Sequence, residues 1–300
     1  MSPDWFWIAF TLIAALAQTA RNAMQRGLTA QIGTVGAAHV RFLYGFPFAG
    51  LFLAGTIALT GLWPAWPGRT FLCWIILGGG AQIGATVLLL AAMRTRSFVA
   101  AVAYTKSEPV LVLIGGLVML HETPGLWQVG AICIATAGVT LMSWPPHLQA
   151  GREWYGPVAY GLTSGALFAV SAVAYRGGIL TVESGSFLVD AGTTLTAALG
   201  LQAVALSLYL LVTDRKALIH LLRTPRQSSP AGFFGALASQ FWFMAFALQS
   251  ASLVRTLALA EVLMAQIVTR RLFKQAGSAR EKVGMAALVI GVAGVLLAGG

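Results

Sequence analysis

Apolar runs of roughly 17 to 25 residues follow one another along the chain, separated by short polar or helix-breaking interruptions. That is the length at which an α-helix crosses the hydrocarbon core of a bilayer. The pattern predicts ten spans, near residues 5–25, 35–60, 70–92, 97–120, 124–144, 155–178, 186–212, 229–249, 252–273 and 282–298. The clearest interruptions are Trp63 to Gly68, Trp144 to His147, and the basic stretch Asp214 to Arg226 with Pro225 and Pro230 close by.

The chain also resembles itself at an offset of about 150 residues, as internally repeated transporters do. Trp5-Phe6 opens the first half and Trp154-Tyr155 the second; Arg26-Gly27 matches Arg176-Gly177; Ser97 to Glu108 and Ser250 to Glu261 each place a carboxylate inside a span at the same spacing. Five spans is an odd number, so the second half must enter the membrane in the opposite sense. The predicted fold is an all-α polytopic membrane protein whose ten transmembrane helices form two inverted five-helix repeats, residues 1–148 and 149–300.

Composition sharpens this picture. Asp, Glu, Lys and Arg together make up 9% of the 300 residues, against about 25% in soluble domains, which excludes an ordinary soluble fold. The net charge of +10 is not arranged as a nucleic-acid surface, because the basic residues gather at span ends. Arg21, Arg26, Arg94, Arg96, Arg152, Arg215, Lys216, Arg223, Arg226, Arg270, Arg271, Lys274, Arg280 and Lys282 lie near odd-numbered loops, and only Arg69 and Arg176 near even ones. The positive-inside rule then puts odd loops in the cytoplasm and both termini outside an inner (plasma) membrane. Eight tryptophans, Trp242 being the exception, fall near expected interfaces. Cys73 and Cys133 sit within apolar runs and suggest neither a disulfide nor a metal site. The first apolar stretch lacks a positive flank and reads as a retained helix.

Charges inside spans cost about 2.5 to 3.5 kcal/mol each on insertion scales, so each calls for a partner, water or a purpose. His39, Arg41, Arg21 and Arg255 lie close enough to span ends to reach the headgroups, and an anchoring role is expected of them. Asp190 occupies the repeat position of Arg41, but inversion should keep the two apart. Lys106 and Glu108 fall halfway through span four and Glu261 halfway through span nine. Pro109 should break the helix beside the first two, leaving the carbonyl of Thr105 without its usual donor. A broken helix at mid-membrane is how many transporters form a substrate site; a structural ion pair between Lys106 and either Glu is the plainer alternative. Gln18, Asn22, Gln82, Thr86, Ser164, Ser171 and Gln240 could line the same cavity or simply bond neighbouring helices. Trp242, Phe246 and Tyr104 could supply aromatic walls.

No phosphate-binding loop, zinc-protease pair, nucleophile elbow or carboxylate-rich metal loop occurs, so no cofactor, metal or ATP hydrolysis is expected. Residues Ala91 to Met142, with Ala91-Ala92, Pro109, Glu122, Thr123, Gln128, Gly130 and Gly138, resemble the EamA-type repeat of the drug/metabolite transporter superfamily. The second half has no counterpart of Pro109, and its pattern is degenerate. The resemblance implies a central cavity between the halves, lined by spans one, three, four, six, eight and nine, which carry Gln18, Gln82, Lys106, Glu108, Trp242 and Glu261. Within the superfamily the chain looks most like the YddG-type exporters of aromatic and other neutral amino acids, whose usual description puts both termini in the cytoplasm. The expectation is an amino acid exporter working by alternating access, with the bilayer as its surroundings and one chain sufficient to form the cavity. Lys106 would hold the carboxylate, Glu108 or Glu261 the ammonium, and Trp242 the side chain; a Glu left unpaired would be a candidate for proton coupling. Rival readings are an exporter of cationic drugs or another metabolite, a passive channel and a membrane-embedded enzyme.

Overall fold

The computed structural model describes residues 5–64, 68–92, 105–143, 155–264 and 278–298. Every element among them is helical: α1 (Phe6–Thr60), α2 (Arg69–Ala92), α3 (Glu108–Met119), α4 (Leu126–Ser143), α5 (Tyr155–Leu180), α6 (Phe187–Thr213), α7 (Arg215–Arg223), α8 (Pro225–Leu248), α9 (Ala251–Ala258) and α10 (Ala279–Ala298). Ile32–Thr60, α2, α6, α8 and α10 are each long and apolar enough to cross a membrane. Their outer faces are apolar too: Leu51, Leu59, Ile76, Val204, Val212 and Leu297 are exposed. Such a belt is out of place in water and at home against lipid tails.

Two expected interruptions are in fact helical. Between spans one and two the backbone stays helical except at Gly33, whose φ of 71° and ψ of 179° divide α1 into two arms. That conformation is essentially confined to glycine. α1 ends where Gly61, at φ 69°, turns its N–H back onto the carbonyl of Ile57. The basic stretch 214–226 is the second case. Asp214 caps α7 by accepting from the N–H of Ala217 at 3.0 Å, and His220 and Arg223 occupy its last turn, where cations suit the helix dipole. α7 buries Ala217, Leu218 and Leu221, and Tyr44 ties it to α1 by donating to the carbonyl of Leu221 at 2.7 Å. Pro225 opens α8 at a position that needs no N–H donor, so span eight begins at Pro225 rather than near 229, and Pro230 lies within it.

Pro109 is a third correction. The chain turns at Lys106 and Ser107, and Pro109 falls in the first turn of α3. There its missing N–H costs nothing and its fixed φ suits the helix; the break precedes the proline. Span nine breaks as well, at Leu259, between α9 and the helical residues 260–264. Tight bonds from Leu259 N to Thr256 O and from Val262 N to Leu259 O, both 3.0 Å, close the turn. Tyr104, the start of span four, the end of span nine, Trp66, Trp144, Trp154, Arg94, Arg96, Arg152, Arg270, Arg271 and Lys274 lie outside the described residues.

α1 packs most extensively on α8, α2 on α5, and α4 on α10. The last pair is bare backbone against backbone: a Cβ added at Gly138 would stand 2.7 Å from the carbonyl oxygen of Gly284, as small-residue membrane crossings require. Trp127 and Gln128 on α4 reinforce it by donating to the carbonyls of Gly294 and Ala298. Trp5, Trp63 and Trp127 are exposed, as interfacial tryptophans should be, but Trp7 is 2% exposed and belongs to the core. Cys73 and Cys133 are free thiols on the outer surface.

Candidate functional site

A cavity of about 430 Å³ lies where α1, α2, α5, α8, α9 and the broken segment before α3 meet. Its position follows from the two breaks. Gly165 on α5 admits the backbone of Thr105, since a Cβ there would stand 3.3 Å from the Thr105 Cα, and the turn that follows directs Lys106 inward. Lys106 Nζ bonds Glu261 Oε1 at 2.7 Å. Glu108, two residues on, faces Arg255, with Nε to Oε1 at 3.1 Å, although the pair does not meet hydrogen-bond alignment. Each ion pair therefore joins the first half of the chain to the second. The side chains keep 13 to 24% exposure, which the cavity provides.

The aromatic wall is electrostatic as well as apolar. The Arg255 guanidinium lies 4.6 Å from the Trp242 ring centroid and 5.7 Å from that of Phe246, and these two rings stack at 6.1 Å. A cation over such faces gains about 0.5 to 2 kcal/mol. Phe168 and Phe243 complete the apolar lining. At the floor, Tyr175 donates to Gln82 Oε1 at 3.0 Å, and Gln202 donates to the same oxygen at 3.0 Å and to the carbonyl of Gly79 at 3.2 Å.

The structure brings Gln18, Asn22, Gln82, Lys106, Glu108, Trp242 and Glu261 together on the wall. It does not bring Thr86, Ser164 or Ser171 there. Thr86 donates to the carbonyl of Gln82 within its own helix, Ser164 donates across to the carbonyl of Ala85 and so joins α5 to α2, and Ser171 is buried. Gln240 is likewise buried off the wall. Both glutamates are paired, so the condition set for proton coupling is not met.

Arg21, Arg41 and Arg255 are not anchors at the headgroups; all three line the cavity. Arg21 and Arg41 are 6% and 4% exposed. Arg21 donates to Asn22 Oδ1 from Nε and Nη2 at 3.2 and 2.7 Å, and Arg41 Nη2 to Ser239 Oγ at 3.3 Å. His39 is also buried, at hydrogen-bond distance (2.9 Å) from Ser207 on α6. Asp190 stays clear of Arg41 and accepts from the backbone N–H of Ser184.

Beyond Phe246 a further arginine ties three segments together. Arg176 of α5 pairs with Glu122, donates to the carbonyl of Phe246, and donates to that of Gln249 at 2.7 Å. This ties α5 to the turn before α4 and to the end of α8. A smaller cavity of about 210 Å³ is lined by Glu122, Gln128, Arg176, Gln249 and Ser252. Among the described residues no group of acidic, His and Cys side chains could hold a metal.

Comparison with known proteins gives the fold and a family likeness over residues 5–144. A solved structure described only as a crystal structure of protein superposes with a TM-score of 0.65 at 15% identity, covering 96% of this chain and 98% of its own. No curated protein matches the sequence. The helices and their apolar faces make this a multi-pass membrane protein, and residues 5–144 match the model of the EamA-like transporter family.

Proposed function

We propose that the chain is an inner-membrane carrier of small carboxylate-bearing metabolites, working by alternating access between two inverted five-span halves, 1–148 and 149–300. The observation that carries this reading is the pair of crossed ion bridges, Lys106 to Glu261 and Arg255 to Glu108. Each has one member in each half, each sits beside a helix break, and both face the central cavity. Ion pairs that can exchange partners between the halves at a solute site are suited to a rocking motion of one half against the other. The packing supports the inverted arrangement, for the contact of α1 with α8 is what an exchange of halves makes of the contact of α2 with α5.

Amino acids are the first substrates to test, with the YddG-type resemblance pointing to aromatic and neutral ones and the Trp242–Phe246 wall offering them an apolar face. The described lining of the cavity comes from one chain, which supports a monomer as the working unit. The charge bias of the loops sets the orientation, with both termini outside, and export is the proposed direction. A cationic drug fits less well, because cations already outnumber carboxylates on the wall. The test is uptake of labelled threonine, methionine and phenylalanine into liposomes holding the purified protein, with and without a preset pH gradient. Saturable uptake, competed by amino acids and not by a lipophilic cation, is expected. Unsaturable flux would make it a channel, and no uptake by folded protein would remove the amino acid assignment.

A further inference from the structure

The central cavity carries more positive charge than its own carboxylates neutralise. Arg21, Arg41, Lys106 and Arg255 line it, against Glu108 and Glu261. Lys106 and Arg255 are matched by the two glutamates. Arg21 and Arg41 form no ion pair with a carboxylate among the described residues; their bonding partners, Asn22 and Ser239, are neutral. Nor do residues 93–104 and 265–277 of the sequence contain any Asp or Glu.

The two guanidinium arms also converge. Gly235 on α8 lies against both: a Cβ there would stand 3.1 Å from Arg41 Cγ and 3.4 Å from Arg21 Cδ. Two buried cations side by side repel each other and have lost their water, an arrangement that is costly unless an anion completes it. Guanidinium forks match carboxylate oxygens in pairs, which a single ammonium cannot do. A neutral amino acid adds no net charge and leaves the surplus of two in place. A dianion cancels it.

We propose that Arg21 and Arg41, with Asn22 and Ser239 orienting them, form an anion subsite of the cavity, and that the preferred cargo is a small dicarboxylate. This rests on the carrier reading above and narrows its substrate class. The experiment is uptake of labelled succinate, monomethyl succinate, glutamate and glutamine by liposomes holding the full chain. Succinate is expected to show a KM about tenfold or more below those of monomethyl succinate and glutamine, with glutamate between them. Arg21→Gln and Arg41→Gln should each erase that preference, and Arg41→Lys should keep part of it. Equal KM values for succinate and its monomethyl ester in the unaltered protein would overturn the subsite without any variant having to fold, and would leave the carrier reading standing if uptake is saturable. Preference surviving both Gln substitutions would overturn it as well. Absence of saturable uptake of these four solutes and of threonine, methionine and phenylalanine would overturn both readings together.

Discussion

Arginine is used in opposite ways at the two ends of the cavity. Beyond Phe246, Arg176 is engaged by the Glu122 carboxylate and by the carbonyls of Phe246 and Gln249, and its role is to hold three segments together. At the other end Arg21 and Arg41 are at least as deeply buried, yet each has only a neutral side chain to donate to. Burial alone does not tell a structural cation from a binding one. The charge of its partners does, since a desolvated cation with a carboxylate is complete, and one without is waiting for a counter-charge.

The largest effect should come from breaking the Arg176 cluster. Arg176→Gln leaves the half-buried Glu122 without its cation and takes a charged donor from two backbone carbonyls, and should destabilise the protein by about 3–5 kcal/mol, read as a drop in Tm in detergent; a loss within about 0.5 kcal/mol would show that Arg176 does not hold these segments together. Lys106→Met comes next. Glu261 would lose its partner but remain in a cavity rich in other cations, so we expect about 1–3 kcal/mol of destabilisation and transport impaired far more than folding. A well-folded Lys106→Met protein with unchanged uptake would remove Lys106 from the site. Trp242→Leu tests the aromatic support of Arg255 and should cost about 0.5–2 kcal/mol, with Trp242→Phe recovering part of it. The smallest effect on stability, and the sharpest test of the contrast, belongs to Arg41→Gln. Removing a cation that lacks a carboxylate should change Tm little, or raise it. A fall as large as that of Arg176→Gln would erase the distinction between the two ends.

The charges at the centre of the site are legible in sequence because Lys106, Glu108 and Glu261 stand alone in long apolar runs, where nothing but a partner or a cavity explains them. The three arginines are not, because distance to an expected span end is a poor measure of depth. Span one does not end near residue 25; its helix runs on to Gly33, which puts Arg21 more than two turns from any break. The small polar residues mislead in the other direction. Ser164 and Gln82 look alike by position, and only the packing shows that Ser164 spends its hydroxyl on the carbonyl of Ala85 while Gln82 also reaches the wall. Proline misleads as a breaker, since Pro109 and Pro225 both open helices; a proline marks a first turn as readily as an interruption, and periodicity cannot separate the two. The amphipathic α7 is hidden for a related reason, its basic residues and neighbouring prolines having the composition of a loop.

Phe246 has two faces with different duties. Its ring forms part of the cavity wall, and its carbonyl oxygen is one of the anchors of Arg176. On the carrier reading, a solute that displaces the ring pulls on the backbone that holds Arg176, and arrival of cargo is linked to loosening of that tie through one residue.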